Sequence, residues 1–121
     1  MIGVGVDVVD IGRFRTSLAR TPSMRERLFT ADELADLAGR VDPVPALAAR
    51  FAAREATMKS LGVGLGAFGF HEVWVRRQAS GAPLLMVTGR ALDLAAAAGV
   101  TRWHLSLSHG DAVAVAHVVA E

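Results

Sequence analysis

Residues Ile2 to Val9 read Ile-Gly-Val-Gly-Val-Asp-Val-Val, a β-branched run with glycine at alternate positions. Branched side chains suit a pleated strand, and glycine inside such a strand marks a place where another backbone comes close. The segment is expected as a buried strand pressed against a neighbouring element, with Asp7 near its end. That neighbour must come from further along the chain.

From Asp10 onward Ile11, Phe14 and Leu18 recur at helical spacing, with arginines on the other side, until Thr21-Pro22-Ser23 breaks the pattern. Met24 to Leu28 can form a second short helix. Thr30 with Glu33 three residues later is a capping-box pattern, placing a helix from near Thr30 to near Gly39. After a loop at Val41-Asp42-Pro43-Val44-Pro45, Ala46 to Leu61 is rich in Ala, Leu, Met, Arg and Glu and stops at Gly62, so a long helix is expected there. Leu47, Phe51, Met58 and Leu61 mark its core stripe, whereas Ala48 and Ala52 continue the Glu55/Lys59 face and are expected to leave open space above it. Gly62, Gly64, Gly66 and Gly69 then form a turn-rich connection without the G-x-x-x-x-G-K-[ST] spacing of a phosphate loop.

Glu72 to Arg76 alternates like a strand, and Ser80-Gly81-Ala82-Pro83 turns it into a return strand over Leu84 to Val87. An Ala/Leu helix follows over Arg90 to Ala98. Trp103 to His109 alternates His104, Ser106 and Ser108 against Leu105 and Leu107. Ala112 to Ala120, after a Gly110-Asp111 turn, is apolar enough for a central strand buried on both faces. The order is β-α-α-α-β-β-α-β-β.

A length of 121 residues fits one core, expected as a single domain over 1–121. Hydrophobic residues at 52% and charged ones at 21% exclude a disordered segment. No apolar run approaches the roughly 20 residues of a spanning helix, and Met1 is not followed by a secretory pattern, so no membrane partner and a cytoplasmic location are expected. With no cysteine, disulfides, thiolate zinc sites and a cysteine nucleophile are excluded, and any metal ligand or nucleophile must be oxygen or imidazole. A net charge of +1 with no aromatic-basic interleaving argues against nucleic acid. The charge is nevertheless uneven: Arg13, Arg15, Arg20, Arg25 and Arg27 face only Glu26 between residues 11 and 27, a segment suited to an acidic partner.

Twelve of the thirteen basic residues are Arg, and Lys59 is the exception. It lies four residues after Glu55, so the two share a helix face; alone, such a pair is an ordinary surface contact contributing about 0.3–0.5 kcal/mol. Asp7 changes the weighting, because two carboxylates beside glycines suit a hard cation such as Mg²⁺, and a lysine one turn on would face the same phosphate. Arg50 lies about 140° around the helix from Glu55 by 3.6-residue periodicity and would reach something beside the metal. His109, at a strand end, suits a phosphate contact, a base or a hairpin cap equally. His104 and His117 read as hydrogen-bonded sheet residues, His71 as a strand-start residue, and Arg54 as a helix-face charge.

Taken in order, Gly-Val-Gly-Val-Asp-Val-Val-Asp (3–10), Arg13, Arg-Leu-Phe-Thr (27–30) with Glu33-Leu34, Ala-Arg-Phe-Ala-Ala-Arg-Glu-Ala (49–56), Lys-Ser-Leu-Gly (59–62), Gly-Ala-Pro (81–83) and Leu-Ser-Leu-Ser-His (105–109) resemble holo-[acyl-carrier-protein] synthase, the small bacterial branch of the 4′-phosphopantetheinyl transferases. The resemblance implies an α+β fold whose mostly antiparallel sheet packs on the long helix. It also implies transfer of 4′-phosphopantetheine from coenzyme A to a serine of an acyl carrier protein, releasing adenosine 3′,5′-bisphosphate. By the same resemblance Asp7 and Glu55 hold Mg²⁺, Lys59 contacts the phosphates, and Glu55 or a metal-bound water takes the serine proton. Arg50, Gly62, Pro83 and His109 line the coenzyme A site, and Arg13, Arg20, Arg25 and Arg27 grip the carrier protein. The family is typically a homotrimer with coenzyme A in clefts between subunits.

Three departures accompany this resemblance. The loop before the long helix lacks the basic residues of several relatives, leaving Arg40 and Arg50 for the 3′-phosphate. Gly110 intervenes between His109 and Asp111, so no role passes to Asp111. Arg54 stands where lysine is commoner and is expected to be neutral. A Mg²⁺-dependent nucleotide phosphoester hydrolase and an idle subunit docking on an acidic protein are the competing readings.

Overall fold

The computed structural model describes all residues from Met1 to Glu121. Strand β1 (Gly3–Asp10) leads into helices α1 (Ile11–Arg20), α2 (Met24–Leu28), α3 (Ala31–Leu37) and α4 (Val44–Ser60). A 3-10 turn at Phe70–Glu72 precedes β2 (Val73–Arg77) and β3 (Pro83–Val87), followed by α5 (Gly89–Ala97), β4 (Trp103–His109) and β5 (Val113–Ala120). The expected order holds, with Met24–Leu28 counted as a helix of its own. All strand pairs are antiparallel: β5 lies between β1 and β4 in one sheet, and β2 and β3 form a second.

The glycines of β1 meet α4. A Cβ on Gly3 would stand 1.9 Å from the Ser60 carbonyl oxygen, and one on Gly5 would stand 1.9 Å from that of Ala56. Only hydrogen fits in that gap, and the helix answers with fully buried Ala48, Ala52, Ala53 and Ala56. The face over Ala48 and Ala52 is therefore no open space, because the sheet fills it and α4 is buried along most of its circumference. Strand period places Asp7 on the same side as Gly3 and Gly5, toward the helix.

Two other expectations about the sheet change. β1 is an edge strand with only one covered face: Val4, Val6 and Val8 point away from α4 and are 51%, 52% and 59% exposed. β5 is central but also one-sided, with Ala114, Ala116, Val118 and Ala120 buried while Val113 and His117 are exposed. An unbroken apolar run cannot by itself reveal that a face lacks a cover within its own chain.

Helix α1 starts at Asp10, whose carboxylate accepts the Arg13 N–H at 2.9 Å, and buries Ile11, Phe14 and Leu18 as its spacing requires. Phe14 packs on Phe29 and Phe51, with ring centroids 6.2 and 5.6 Å apart. The capping box of α3 is present, Thr30 and Glu33 exchanging side-chain and backbone hydrogen bonds. α4 begins two residues earlier than expected, at Val44, because Pro45 falls in the first turn, where its missing N–H breaks no intrahelical bond.

Candidate active site

Asp7 and Glu55 approach each other where β1 crosses α4, and Lys59 completes the group. The Lys59 ammonium donates to Asp7 Oδ1 and to the Val6 carbonyl oxygen, both at 3.0 Å. The ion pair of Lys59 is thus with Asp7, not with its helix neighbour Glu55. Burial pushes the Glu55 carboxyl above the usual glutamate range, Asp7's charge adds to this, and Lys59 opposes it. A carboxyl made costlier to ionise by burial and by a neighbouring carboxylate is a fitting place for a divalent cation. The donors are hard oxygens, and no third Asp, Glu, His or Cys joins them to make a cluster. That set fits Mg²⁺, which typically takes one or two protein carboxylates and keeps positions for water and phosphate oxygens; it does not suit a metal that needs a closed protein cage.

About 7.5 Å back along the α4 axis, by the rise per residue, begins a cavity of about 290 Å³. Its walls are Arg40, Ala46, Ala49 and Arg50 from the α4 side, Val75, Arg77, Gly81 and Pro83 from the β2–β3 hairpin, and Leu107 and His109 from β4. The structure thereby brings together Arg50, Pro83 and His109 from sites widely separated in sequence. Gly62, by contrast, ends α4 with φ +69° and is not in the cavity wall. Arg77 was invisible to sequence reasoning; its only signal is its place at the end of a strand leading into the Gly81 turn.

Arg50 is the unusual member. It is 6% exposed, its Nε has no hydrogen-bond partner, and burial lowers its pKa, with Glu33 and Asp36 opposing and Arg40 and Arg54 adding to the fall. A buried cation with an unused donor in a cavity wall is arranged for an anion.

The family model for the 4′-phosphopantetheinyl transferase superfamily matches residues 3–117. The chain belongs to this superfamily. It is 50% identical over 123 residues to the holo-[acyl-carrier-protein] synthase of Micrococcus luteus, covering 100% of this chain and 92% of that one. It is 51% identical over 122 residues to the synthase of Streptomyces avermitilis, covering 100% and 98%. The synthase structure from Neisseria meningitidis superimposes with a TM-score of 0.90 at 31% identity, covering 100% and 98% of the two chains. That from Bacillus anthracis, in complex with CoA (3′,5′-ADP), gives 0.81 at 30% identity over 98% and 95%. The chain is accordingly a phosphopantetheinyl transferase of the holo-[acyl-carrier-protein] synthase type, and the α+β architecture is that of the family.

The remaining sites follow from the same geometry. Arg13 and Arg20 are exposed and line a shallow polar cleft on α1 with Asp10, Gly12, Thr16 and Ser17. Arg25 is half-buried beside Leu34, Leu37 and Arg40, and Arg27 is exposed. Arg15 is held by Asp42 in a two-pronged contact at 3.0 and 2.8 Å, tying α1 to the loop that carries Arg40. His104 bonds Glu121 at 2.9 Å as a sheet histidine should, His117 lies exposed on the outer face, and His71 contacts the Glu26 carbonyl at 2.7 Å from the 3-10 turn.

Arg54 requires a correction. It is no helix-face charge: its side chain is 0% exposed and forks onto both oxygens of an equally buried Glu33, at 2.9 and 2.5 Å.

Proposed function

We propose that the protein transfers the 4′-phosphopantetheine group of coenzyme A to a serine hydroxyl of an apo acyl carrier protein, with Mg²⁺, releasing adenosine 3′,5′-bisphosphate. The observation that carries this reading is the placement, on one helix, of an arginine-lined cavity next to the Asp7/Glu55/Lys59 group. A ligand with a phosphorylated nucleoside at one end and a pyrophosphate in the middle can span the two. Coenzyme A is such a ligand, and the Helicobacter pylori synthase, similar in fold at a TM-score of 0.84, was solved in complex with it.

In this reading Arg50, with Arg40 and Arg77, holds the 3′-phosphate, while His109 and Pro83 flank the adenosine. Asp7 and Glu55 hold Mg²⁺, which supplies charge neutralisation on the phosphoryl oxygens. Lys59 places a further positive charge beside the same oxygens. The serine oxygen forms a bond to the β-phosphorus as the bond from that phosphorus to the bridging oxygen breaks, and the bisphosphate departs. Glu55, whose carboxylate belongs to the same group, takes the serine proton. Arg13, Arg20, Arg25 and Arg27 draw in the acidic carrier protein, an attraction that speeds encounter and weakens with salt.

We further propose a homotrimer. The uncovered face of the sheet, with Val4, Val6, Val8 and Val113 exposed together, supports burial against other copies, and the number three rests on the family resemblance. The proposed location is cytoplasmic and the proposed working unit is the one domain of residues 1–121. No helix is long and apolar enough to cross a membrane.

The test is to incubate the protein with coenzyme A, Mg²⁺ and apo acyl carrier protein and weigh the carrier protein intact, with a chelator and Glu55→Ala as controls. The expected result is a gain of one phosphopantetheine, lost in both controls. Coenzyme A cleaved without transfer would favour the hydrolase, and coenzyme A bound without reaction would favour an idle docking subunit.

A further inference from the structure

Behind the cavity lies a buried network that the chemistry above leaves unused. Glu33 and Arg54 are both fully buried and joined through two parallel hydrogen bonds. Apart from the Thr30 hydroxyl, which donates to Glu33 Oε1 at 3.3 Å, their remaining bonds are to backbone. Arg54 Nε donates to the Phe70 carbonyl at 2.8 Å and Nη1 to the Arg50 carbonyl at 3.3 Å. Glu33 Oε2 accepts the Val75 N–H at 3.0 Å, and Oε1 accepts the Thr30 N–H at 3.0 Å. The Arg54 guanidinium also lies over the Phe29 ring, 5.1 Å from its centroid.

Arg50 and Val75 belong to opposite walls of the cavity, one on α4 and one on β2. The ion pair bonds to the backbone of both and so acts as a strut of fixed length between them. A fold that needed only stability here could use packed apolar groups, since buried ion pairs seldom stabilise more than their hydrophobic replacements. A planar fork with five donors, however, defines distance and angle in a way that apolar packing does not.

We propose that Glu33 and Arg54 are positioning residues for the coenzyme site: the pair sets the separation of the Arg50 wall from the Val75 wall and thereby the affinity for the phosphorylated nucleoside. This rests on the reading of the cavity as the coenzyme A site. The pair touches neither the ligand nor the Asp7/Glu55/Lys59 group, so its effect falls on coenzyme binding and not on the chemical step.

Two variants preserve the local charge balance, so that altered affinity reports position. Arg54→Lys keeps the positive charge but, as a single point, cannot bridge both Glu33 oxygens and two carbonyls. Glu33→Gln with Arg54→Met removes one charge of each sign. Folding is checked by circular dichroism and thermal unfolding, and the dissociation constant for coenzyme A is measured by calorimetry alongside kcat and the KM for each substrate. The expected result for at least one folded variant is a rise of about tenfold in both the dissociation constant and the KM for coenzyme A, with kcat and the KM for the carrier protein within twofold. Native-like coenzyme affinity in every folded variant, or a fall in kcat with that affinity unchanged, overturns the proposal. If both variants fail to fold, Glu33→Asp is measured in the same way, with the same two outcomes. Failure of the unaltered protein to bind coenzyme A would instead overturn the reading of the cavity.

Discussion

Replacing Arg50 by methionine is expected to make the ligand-free protein more stable and the ligand-bound protein less so. Arg50 is 6% exposed with an unpartnered Nε, and its burial is the main influence on its pKa. An unsatisfied buried donor costs about 1–3 kcal/mol, and methionine keeps the unbranched stem while removing the donor and the charge. Loss of the attraction to Glu33 and Asp36 takes back part of this, so a gain of about 1 kcal/mol is expected, or roughly 3–6 °C in Tm for a chain of this size. Binding moves the other way. A hydrogen bond to a charged group contributes about 1.5–3 kcal/mol, so the dissociation constant for coenzyme A should rise about 10- to 150-fold. At a ligand concentration 100 times the native constant, the native protein gains about 2.7 kcal/mol, while a variant weakened 30-fold gains about 0.9. The stability order therefore reverses on adding ligand, by about 0.8 kcal/mol. Urea unfolding with and without coenzyme A reads both halves. A variant less stable than the native protein without ligand, with an undiminished ligand response, would refute the account of Arg50.

Three further outcomes are expected. Glu55 titrates above the ordinary glutamate range in the folded state, so without divalent cations its ionisation removes stability as pH rises through that raised pKa; Glu55→Gln should then be more stable than the native protein at neutral pH, the gap closing in acid. A gap independent of pH in thermal melts from acid to neutral would count against this, and added Mg²⁺ should stabilise only the native form. Gly5→Ala should cost about 3 kcal/mol or more, because its Cβ would stand 1.9 Å from the Ala56 carbonyl, whereas Gly64→Ala, with nothing within 4 Å, should stay within about 0.5 kcal/mol in the same urea titration. Val6→Glu, on the exposed sheet face, should leave the circular dichroism unchanged and reduce the mass in light scattering from three copies to one; an unchanged mass would remove that face from the oligomer.

Much of this arrangement is legible in the sequence. The alternating glycines of β1 announce the close approach of another backbone, and the Glu55/Lys59 spacing follows from helix period alone, whereas Ala48 and Ala52 of α4 read as open space and are in fact covered by the sheet. Asp7 is on the helix side because it continues the parity of Gly3 and Gly5. What escaped is what depends on distant partners. Arg54 read as a surface charge because its partner lies 21 residues away, and Glu33 was already accounted for by the capping box at Thr30. Glu33 does both, one carboxylate serving cap, ion pair and the Val75 N–H together. Likewise β1 reads as a buried strand and β5 as one buried on both faces because valine is the same residue whether its cover comes from its own chain or from another. Arg77 entered the cavity only through the hairpin that sets it opposite Arg50.

The central claim is a division of labour along α4, with Arg50 holding the nucleotide end and Glu55 serving the reacting phosphate. Binding of adenosine 3′,5′-bisphosphate, which lacks the phosphoryl group that is transferred, separates the two in one calorimetric comparison of the native protein, Arg50→Met and Glu55→Gln. The account predicts that Arg50→Met weakens this binding at least tenfold while Glu55→Gln leaves it within twofold. Binding that is indifferent to Arg50, or lost with Glu55, would contradict it.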